Sequence, residues 1–185
     1  MAHPVHAYWD DFWAVLGFRE ATAMAALLGL DEQRDRLNSL HQDFQRTLHA
    51  SLQLVIDTHQ LDFIPGSVEF ADFDPSATSI GITLADQLQH LPRQTIEQTY
   101  DKYLLGFRTR VDGSVPWANY SAYEIRNIGA LVRMGRREDA NELLQFFLAD
   151  RRLLSWNNSR SRASVGKPNS KLYRRNSPNW AFRRL

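Results

Sequence analysis

The sequence predicts an all-α protein built of antiparallel helical hairpins. Apolar residues recur at three- and four-residue steps over residues 9–28 and again over residues 37–55, which is the pattern of amphipathic helices. Gly29 leaves a turn of only two or three residues between these segments, so the two helices must run antiparallel. The residues around Gly135 repeat the same order of apolar helix end, glycine, charged turn and amphipathic helix, which favours a repeated hairpin.

The ends of the first two helices are expected from their capping residues. Gly29 should end the first helix in a left-handed conformation, and Asp31 should cap the second. The apolar stripe of the second helix extends to about His59.

The segment over residues 61–90 breaks the helical pattern. It begins with a turn at residues 62–67 and continues with three acids among aromatic residues. Pro75 suits the first position of a short helix over residues 76–84. A connection this long in a compact domain is usually functional, although a surface loop whose acids cap a helix explains it equally well.

Three further helices are predicted in the second half of the chain. One covers residues 95–111. The next begins at Ser121, which forms a capping box with Glu124, and runs to Gly135. The last carries its apolar residues over positions 140–148.

Composition limits the class of protein. A chain of 185 residues is long enough for one domain with a sizeable core. Cysteine is absent, which excludes disulfides, thiolate metal sites and cysteine nucleophiles. No apolar run is long enough to cross a membrane, and residues 1–6 show neither the basic region nor the apolar region of a signal peptide. We therefore expect no membrane partner. The location is left open, with the bacterial cytoplasm as the default and export of the parent protein as the alternative.

Basic residues are concentrated near the carboxyl end. Residues 156–185 hold eight of the 22 Lys and Arg residues and none of the 21 Asp and Glu residues. Such a block usually indicates nucleic acid or a membrane surface, but this one lacks periodicity and is rich in Asn and Ser. We expect a folded domain over residues 1–156 and a disordered tail over residues 157–185 that binds no nucleic acid.

Aromatic and acidic residues occur together in three segments, a combination suited to sugars, because rings stack on pyranose faces and carboxylates bind hydroxyls. Glycoside hydrolysis needs one carboxylic acid and a second carboxylate several ångströms away. The candidate catalytic residues are Asp10, Asp11, Glu69 and Glu124. The candidate substrate-binding residues are Tyr8, Trp9, Trp13, Asp72, Asp74, Trp117, Tyr120, Arg126 and Asn127.

These candidates also have ordinary structural explanations. Adjacent acids on a helix point about 100° apart, so only one of Asp10 and Asp11 can face a given cleft, and the other would interact with the helix dipole. The capping box alone explains Glu124, and Arg126 and Asn127 could tie helices together. The six scattered histidines predict no metal site, and phosphate-binding and nucleophile-elbow motifs are missing, so we expect no cofactor.

The three segments resemble a known family. They read Tyr8-Trp9-Asp10-Asp11-Phe12-Trp13-Ala14, then Ile64-Pro65-Gly66-Ser67-Val68-Glu69 with Asp72-Phe73-Asp74-Pro75, then Tyr123-Glu124-Ile125-Arg126-Asn127. Together they are similar to the six-hairpin glycosidase-like proteins of bacteria, relatives of the glucoamylase, trehalase and rhamnosidase superfamily. The resemblance covers about residues 5–156, and its most specific part is the Tyr-Trp-Asp-Asp-Phe-Trp run.

This resemblance implies an (α/α)6 toroid whose inner helices send their amino-terminal loops into a carbohydrate-binding funnel. Trp9 and Asp10 match the place where such families contact the sugar, while the general acid is not matched to one residue. A complete toroid has six hairpins and this chain has about three, so we expect part of a catalytic domain. An open half-toroid would expose apolar helix faces, which favours self-association.

The resemblance also bears on the basic tail. Related sequences are expected to carry Phe-Ile-Gly-Glu-Ile-Pro in this region. Codons for that hexapeptide, read one base early, can give the Leu-Tyr-Arg-Arg-Asn-Ser-Pro of residues 172–178. We therefore expect the tail to be an out-of-frame translation.

The sequence thus predicts a carbohydrate-active domain, part of a glycoside hydrolase that hydrolyses or binds glycosidic substrates. The alternative is a non-catalytic helical module whose acidic and aromatic loops contact a protein partner. Whether this chain by itself is an active enzyme is left open by the sequence.

Overall fold

The computed structural model describes residues 4–116 and 122–149. These residues form six α-helices: α1 (Tyr8–Leu27), α2 (Asp31–His59), α3 (Pro75–Thr83), α4 (Arg93–Asp112), α5 (Arg126–Arg133) and α6 (Arg137–Ala149). Within the described ranges there are two isolated β-bridges and no strand, so the all-α prediction is confirmed. No helix in this part of the chain is both long and apolar enough to cross a membrane. The toroid stays a prediction, and the tail lies outside the described residues.

The chain divides within α4 into two compact units, residues 1–101 and residues 102–185. The first unit is built on the antiparallel hairpin of α1 and α2. The Tyr8 hydroxyl near the start of α1 lies 2.9 Å from the Ser51 hydroxyl in the second half of α2. Gly29 has a φ of +69° in the turn, which confirms its predicted left-handed conformation. The predicted cap at Asp31 is wrong, because Leu30 occupies that position without a side-chain hydrogen bond and Asp31 begins the helix.

The short helix α3 packs against α1. Gly81 permits this approach, since a Cβ at that position would lie 2.7 Å from Cε1 of Phe12. Pro75 is the first residue of α3, which confirms its predicted place. Asp74 is the N-cap, and its carboxylate accepts hydrogen bonds of 2.9 and 3.1 Å from the amides of the second and third residues after it.

Large apolar and aromatic side chains fill the core of the first unit. They come from α1, α2, α3, the connection before α3 and the first half of α4: Tyr8, Phe12, Leu52, Ile64, Ile80, Ile82, Ile96 and Tyr100 are all fully buried. Each such apolar side chain favours folding by roughly 1.5–3 kcal/mol through its removal from water. This core holds the amino-terminal end of α1 in place.

The second unit contains the second half of α4 together with α5 and α6. Gly135 has a φ of +81° between α5 and α6, as Gly29 does between α1 and α2. Phe107, Phe146 and Phe147 are buried together, and the rings of Phe107 and Phe146 meet edge to face at 5.0 Å. The two glycines predicted to mark a repeat therefore each join two packed helices.

Candidate functional site

The amino-terminal end of α1 is joined to the connection before α3 by an antiparallel bridge. The Tyr8 amide donates a hydrogen bond of 3.0 Å to the Gly66 carbonyl, and the Val68 amide donates one of 3.0 Å to the His6 carbonyl. The first two segments of the family resemblance therefore lie side by side in the first unit. We refer to the polar and aromatic side chains carried by this junction as the acidic site: His6, Trp9, Asp10, Asp11, Trp13, Glu69 and Asp72.

Gly66 lets the connection fold back tightly at the acidic site. Its amide donates a 2.7 Å hydrogen bond to the Asp72 carbonyl, and a Cβ at residue 66 would lie 2.8 Å from Cβ of Asp74. The Ser67 hydroxyl donates to the Asp72 carboxylate across the same turn. These contacts hold the segment that carries Glu69.

The two adjacent acids in the first turn of α1 have different surroundings. Asp10 is exposed, whereas Asp11 is partly buried. Burial raises the pKa of Asp11, and the charge of Asp10 raises it further, while His6 acts in the opposite direction. Asp11 therefore keeps its proton to a higher pH than an ordinary aspartate does.

Glu69 is exposed, and both of its carboxylate oxygens contact His6. The His6 amide donates to Oε2 at 2.9 Å, and the His6 imidazole Nδ1 is in hydrogen-bond contact with Oε1. The imidazole contact and then the amide bond lower the pKa of Glu69, and the carboxylate raises the pKa of His6 in return. The acidic site thus combines one carboxyl group of raised pKa with one of lowered pKa.

The aromatic residues of the first segment divide between the surface and the core. Trp13 is 39% exposed and Trp9 is partly buried. Tyr8 is fully buried with its hydroxyl against α2, so it presents no ring face to a ligand, and its predicted role in substrate binding does not agree with this position. The predicted substrate-binding role of Asp74 also does not agree with the structure, because its carboxylate caps α3.

The third segment lies in the second unit, where Glu124 forms a largely buried ion pair. Its two oxygens accept hydrogen bonds of 2.8 Å from the two terminal guanidinium nitrogens of Arg110, and the Tyr103 hydroxyl donates to it at 3.1 Å. The side chains of Arg110 and Glu124 are 15% and 12% exposed. Because this ion pair is largely buried, the Glu124 carboxylate is not accessible to a ligand as the exposed Glu69 is, and the arrangement does not support its predicted catalytic role.

The neighbours of Glu124 also have structural contacts. Residues 122–125 form a 3-10 turn, and α5 begins only at Arg126, later than predicted. The Arg126 guanidinium lies 4.5 Å from the centroid of the Tyr123 ring. Asn127 is fully buried near the Tyr103 hydroxyl, whose pKa is raised by burial. The remaining residues predicted in this region, Trp117, Tyr120 and Ser121, lie outside the described residues.

Sequence reasoning missed His6 and Arg110, the residues that bind the carboxylates of Glu69 and Glu124, respectively. His6 directly precedes the aromatic and acidic run, but its partner Glu69 is 63 positions away. Arg110 and Glu124 are separated by 14 positions and by the end of a helix. Neither pair has a local spacing signal, although both join opposite charges.

The carboxyl groups of the acidic site could donate and accept protons. Carboxyl groups whose surroundings shift their pKa values in opposite directions suit a proton donor and a proton acceptor. Among the described side chains, no group of three His, Asp or Glu residues is arranged to hold a metal ion. No protein-family model, curated protein or solved structure matches the chain.

Proposed function

We propose that the acidic site binds carbohydrate and acts in the hydrolysis of a glycosidic bond. The supporting observation is the opposite pKa shift of Asp11 and Glu69 on two segments joined by a bridge. Glycoside hydrolysis uses one carboxyl group that delivers a proton to the leaving oxygen and one that is ionised. We assign the proton donor to Asp11 and the ionised base or nucleophile to Glu69.

The aromatic and acidic neighbours support the same proposal. The exposed part of Trp13 offers a ring face for stacking on a pyranose, and the partly buried Trp9 lies in the same helical turn. The exposed Asp10 carboxylate and the Oδ2 atom of Asp72, whose Oδ1 accepts from Ser67, can accept hydrogen bonds from sugar hydroxyls. The resemblance to six-hairpin glycosidase-like proteins supports this assignment, and with it a partial toroid as the fold.

The charge of the two segments favours a neutral sugar over an anionic one. Residues 4–18 and 61–92 hold two and five acids, respectively, and neither range contains Lys or Arg. A uronic acid would therefore approach several negative charges without a Lys or Arg of these segments to bind it. At short range, like charges repel by roughly 1 kcal/mol even at the dielectric constant of water.

The experiment is a binding and hydrolysis screen of the full chain against neutral oligosaccharides, with uronic acid oligosaccharides as the anionic comparison. A ligand found in the screen is then titrated calorimetrically into Asp11→Asn and Glu69→Gln. We expect both variants to bind at least tenfold more weakly or to lose turnover, because each removes a carboxyl group of the proposed pair. Glu32→Gln, an exposed acid in the first turn of α2, is the matched control and should change nothing.

A second pair of variants tests stacking separately from charge. Trp13→Ala should weaken binding, since it removes the exposed ring beside the carboxylates, whereas Leu27→Ala at the other end of α1 should not. The proposal fails if neutral oligosaccharides are neither bound nor hydrolysed. It also fails if every variant behaves as the wild type does.

The second candidate is a non-catalytic helical interaction module, which one observation favours. The turn between α1 and α2 is bordered by exposed apolar side chains, with Leu27 at 87%, Leu28 at 69% and Met24 at 61% exposure. A second copy of the chain is the partner proposed for this surface. Light scattering over a range of concentrations should then show a dimer that a Leu27→Ser, Leu28→Ser double variant abolishes, and a monomer at all concentrations would contradict this candidate.

A further inference from the structure

We infer that His6 is a positioning residue of the acidic site, which holds the Glu69 carboxylate in one orientation through both of its oxygens. The inference rests on the function proposed for this site. It adds a residue that neither contacts the reacting bond nor belongs to the pair of carboxyl groups.

His6 is hydrogen-bonded both to the backbone beside Glu69 and to the Glu69 carboxylate. Its carbonyl accepts a 3.0 Å hydrogen bond from the Val68 amide, which fixes the backbone of the residue next to Glu69. Its own amide donates to Oε2 of Glu69 at 2.9 Å, and its imidazole contacts Oε1. An exposed glutamate normally samples several rotamers, and selecting one of them costs conformational entropy. Because His6 binds both oxygens, this cost is met before a ligand arrives.

The charged groups around His6 act in one direction. Glu69 and, more weakly, Asp11 raise the pKa of the imidazole, and Asp10 adds negative charge beside Asp11. Slight desolvation of the exposed ring opposes them only in part. His6 is therefore protonated to a higher pH than an ordinary histidine, and its positive charge strengthens the hydrogen bond to Glu69 over that range.

This arrangement predicts how ligand binding depends on pH. Affinity for a neutral oligosaccharide should be highest where Glu69 is ionised and His6 is protonated. It should fall as the pH rises through the pKa of His6, which lies above the ordinary 6.5. Removing the imidazole should weaken binding about two- to fivefold at pH 6, because the contact between His6 and Glu69 is exposed to solvent.

The test uses two substitutions in the full chain. His6→Ala removes the imidazole donor and should bind the oligosaccharide more weakly. Its affinity should also no longer fall as the pH rises. His6→Asn offers a neutral donor at the position of Nδ1, so it should recover part of the affinity without the decline. His59→Ala changes an exposed histidine at the end of α2 and is the control.

A readout without a ligand separates this inference from the proposed function. In ¹³C NMR titrations, the Glu69 carboxyl should have a higher pKa in His6→Ala than in the wild type, because the imidazole no longer stabilises the carboxylate. An unchanged Glu69 pKa overturns the inference whether or not sugar binds. A raised Glu69 pKa in a protein that binds no sugar supports the positioning contact and contradicts the proposed function alone.

Discussion

The acidic site of the first unit and Glu124 of the second unit look alike in the sequence, since both place acids among aromatic residues. In the structure they differ in what holds the carboxylate. Glu69 is exposed and contacts a histidine, and Asp11 is partly buried with a raised pKa. Glu124 is largely buried, with two hydrogen bonds from Arg110 and a third from a tyrosine. The partners and burial of an acid, more than its sequence context, therefore decide whether a ligand can reach it.

The largest expected effect comes from breaking the ion pair of Glu124. Glu124→Gln removes the negative charge from a largely buried ion pair, so we expect the second unit to lose about 3–5 kcal/mol of stability. Urea denaturation followed by far-UV circular dichroism measures the loss, and hydrogen exchange in α5 and α6 locates it. An effect below 1 kcal/mol would contradict the buried pair.

A double variant controls for the introduced amide. Arg110→Met combined with Glu124→Leu removes both charges, so it should be closer in stability to the wild type than Glu124→Gln is. Equal loss in the two proteins would mean that packing, and not the charge, explains the effect.

A smaller effect is expected at the turn that supports the acidic site. Gly66→Ala places a Cβ 2.8 Å from Cβ of Asp74, so the connection must shift, at a cost of about 1–3 kcal/mol. Sugar binding should weaken with it, because Glu69 lies on the same connection. Thermal denaturation and calorimetry measure the two losses.

Gly17→Ala is the matched control for this glycine. Gly17 lies within α1, and a Cβ there meets no atom within 4 Å. The substitution should therefore stabilise α1 by up to about 1 kcal/mol, through the lower conformational freedom of alanine in the unfolded chain. Loss of stability in Gly17→Ala would contradict the open space around this position.

The smallest expected effect is a gain of stability when the charge of Asp11 is removed. The folded state raises the pKa of Asp11, so it binds the proton of this group more tightly than the unfolded state does, and ionisation of Asp11 destabilises the fold. Asp11→Asn should therefore gain a few tenths of a kcal/mol at neutral pH. The gain should develop as the pH rises above 3.8 and disappear below it. Urea denaturation at pH 3 and pH 7 measures this difference, and a loss of stability at pH 7 would contradict the raised pKa.

Local patterns were sufficient to predict the helical part of the fold. The end of α1 at Gly29 and the start of α3 at Pro75 depend on residues within one turn of each boundary, and both are confirmed. The predicted cap at Asp31 is wrong because Leu30 is the N-cap, without a side-chain hydrogen bond, and Asp31 is the first residue of the helix. A capping residue is a preference that the geometry of a tight turn can override.

The state of the candidate carboxylates could not be read from local patterns. Sequence reasoning placed Tyr8 on a binding surface, but the packing of α1 on α2 buries it. The partners of Glu69 and Glu124 lie far along the chain, and an ion pair or hydrogen bond between distant segments leaves no periodic signal. The residue types were therefore predictable, whereas their accessibility depended on tertiary contacts.

A ¹³C NMR titration of the Asp11 and Glu69 carboxyl groups in the full chain tests the proposed pair of carboxyl groups most directly. We expect Asp11 to titrate above the ordinary 3.8 and Glu69 to titrate below the ordinary 4.5. Carboxyl groups that both titrate at their ordinary values, or with the shifts reversed, would contradict the assignment of Asp11 as proton donor and Glu69 as ionised partner.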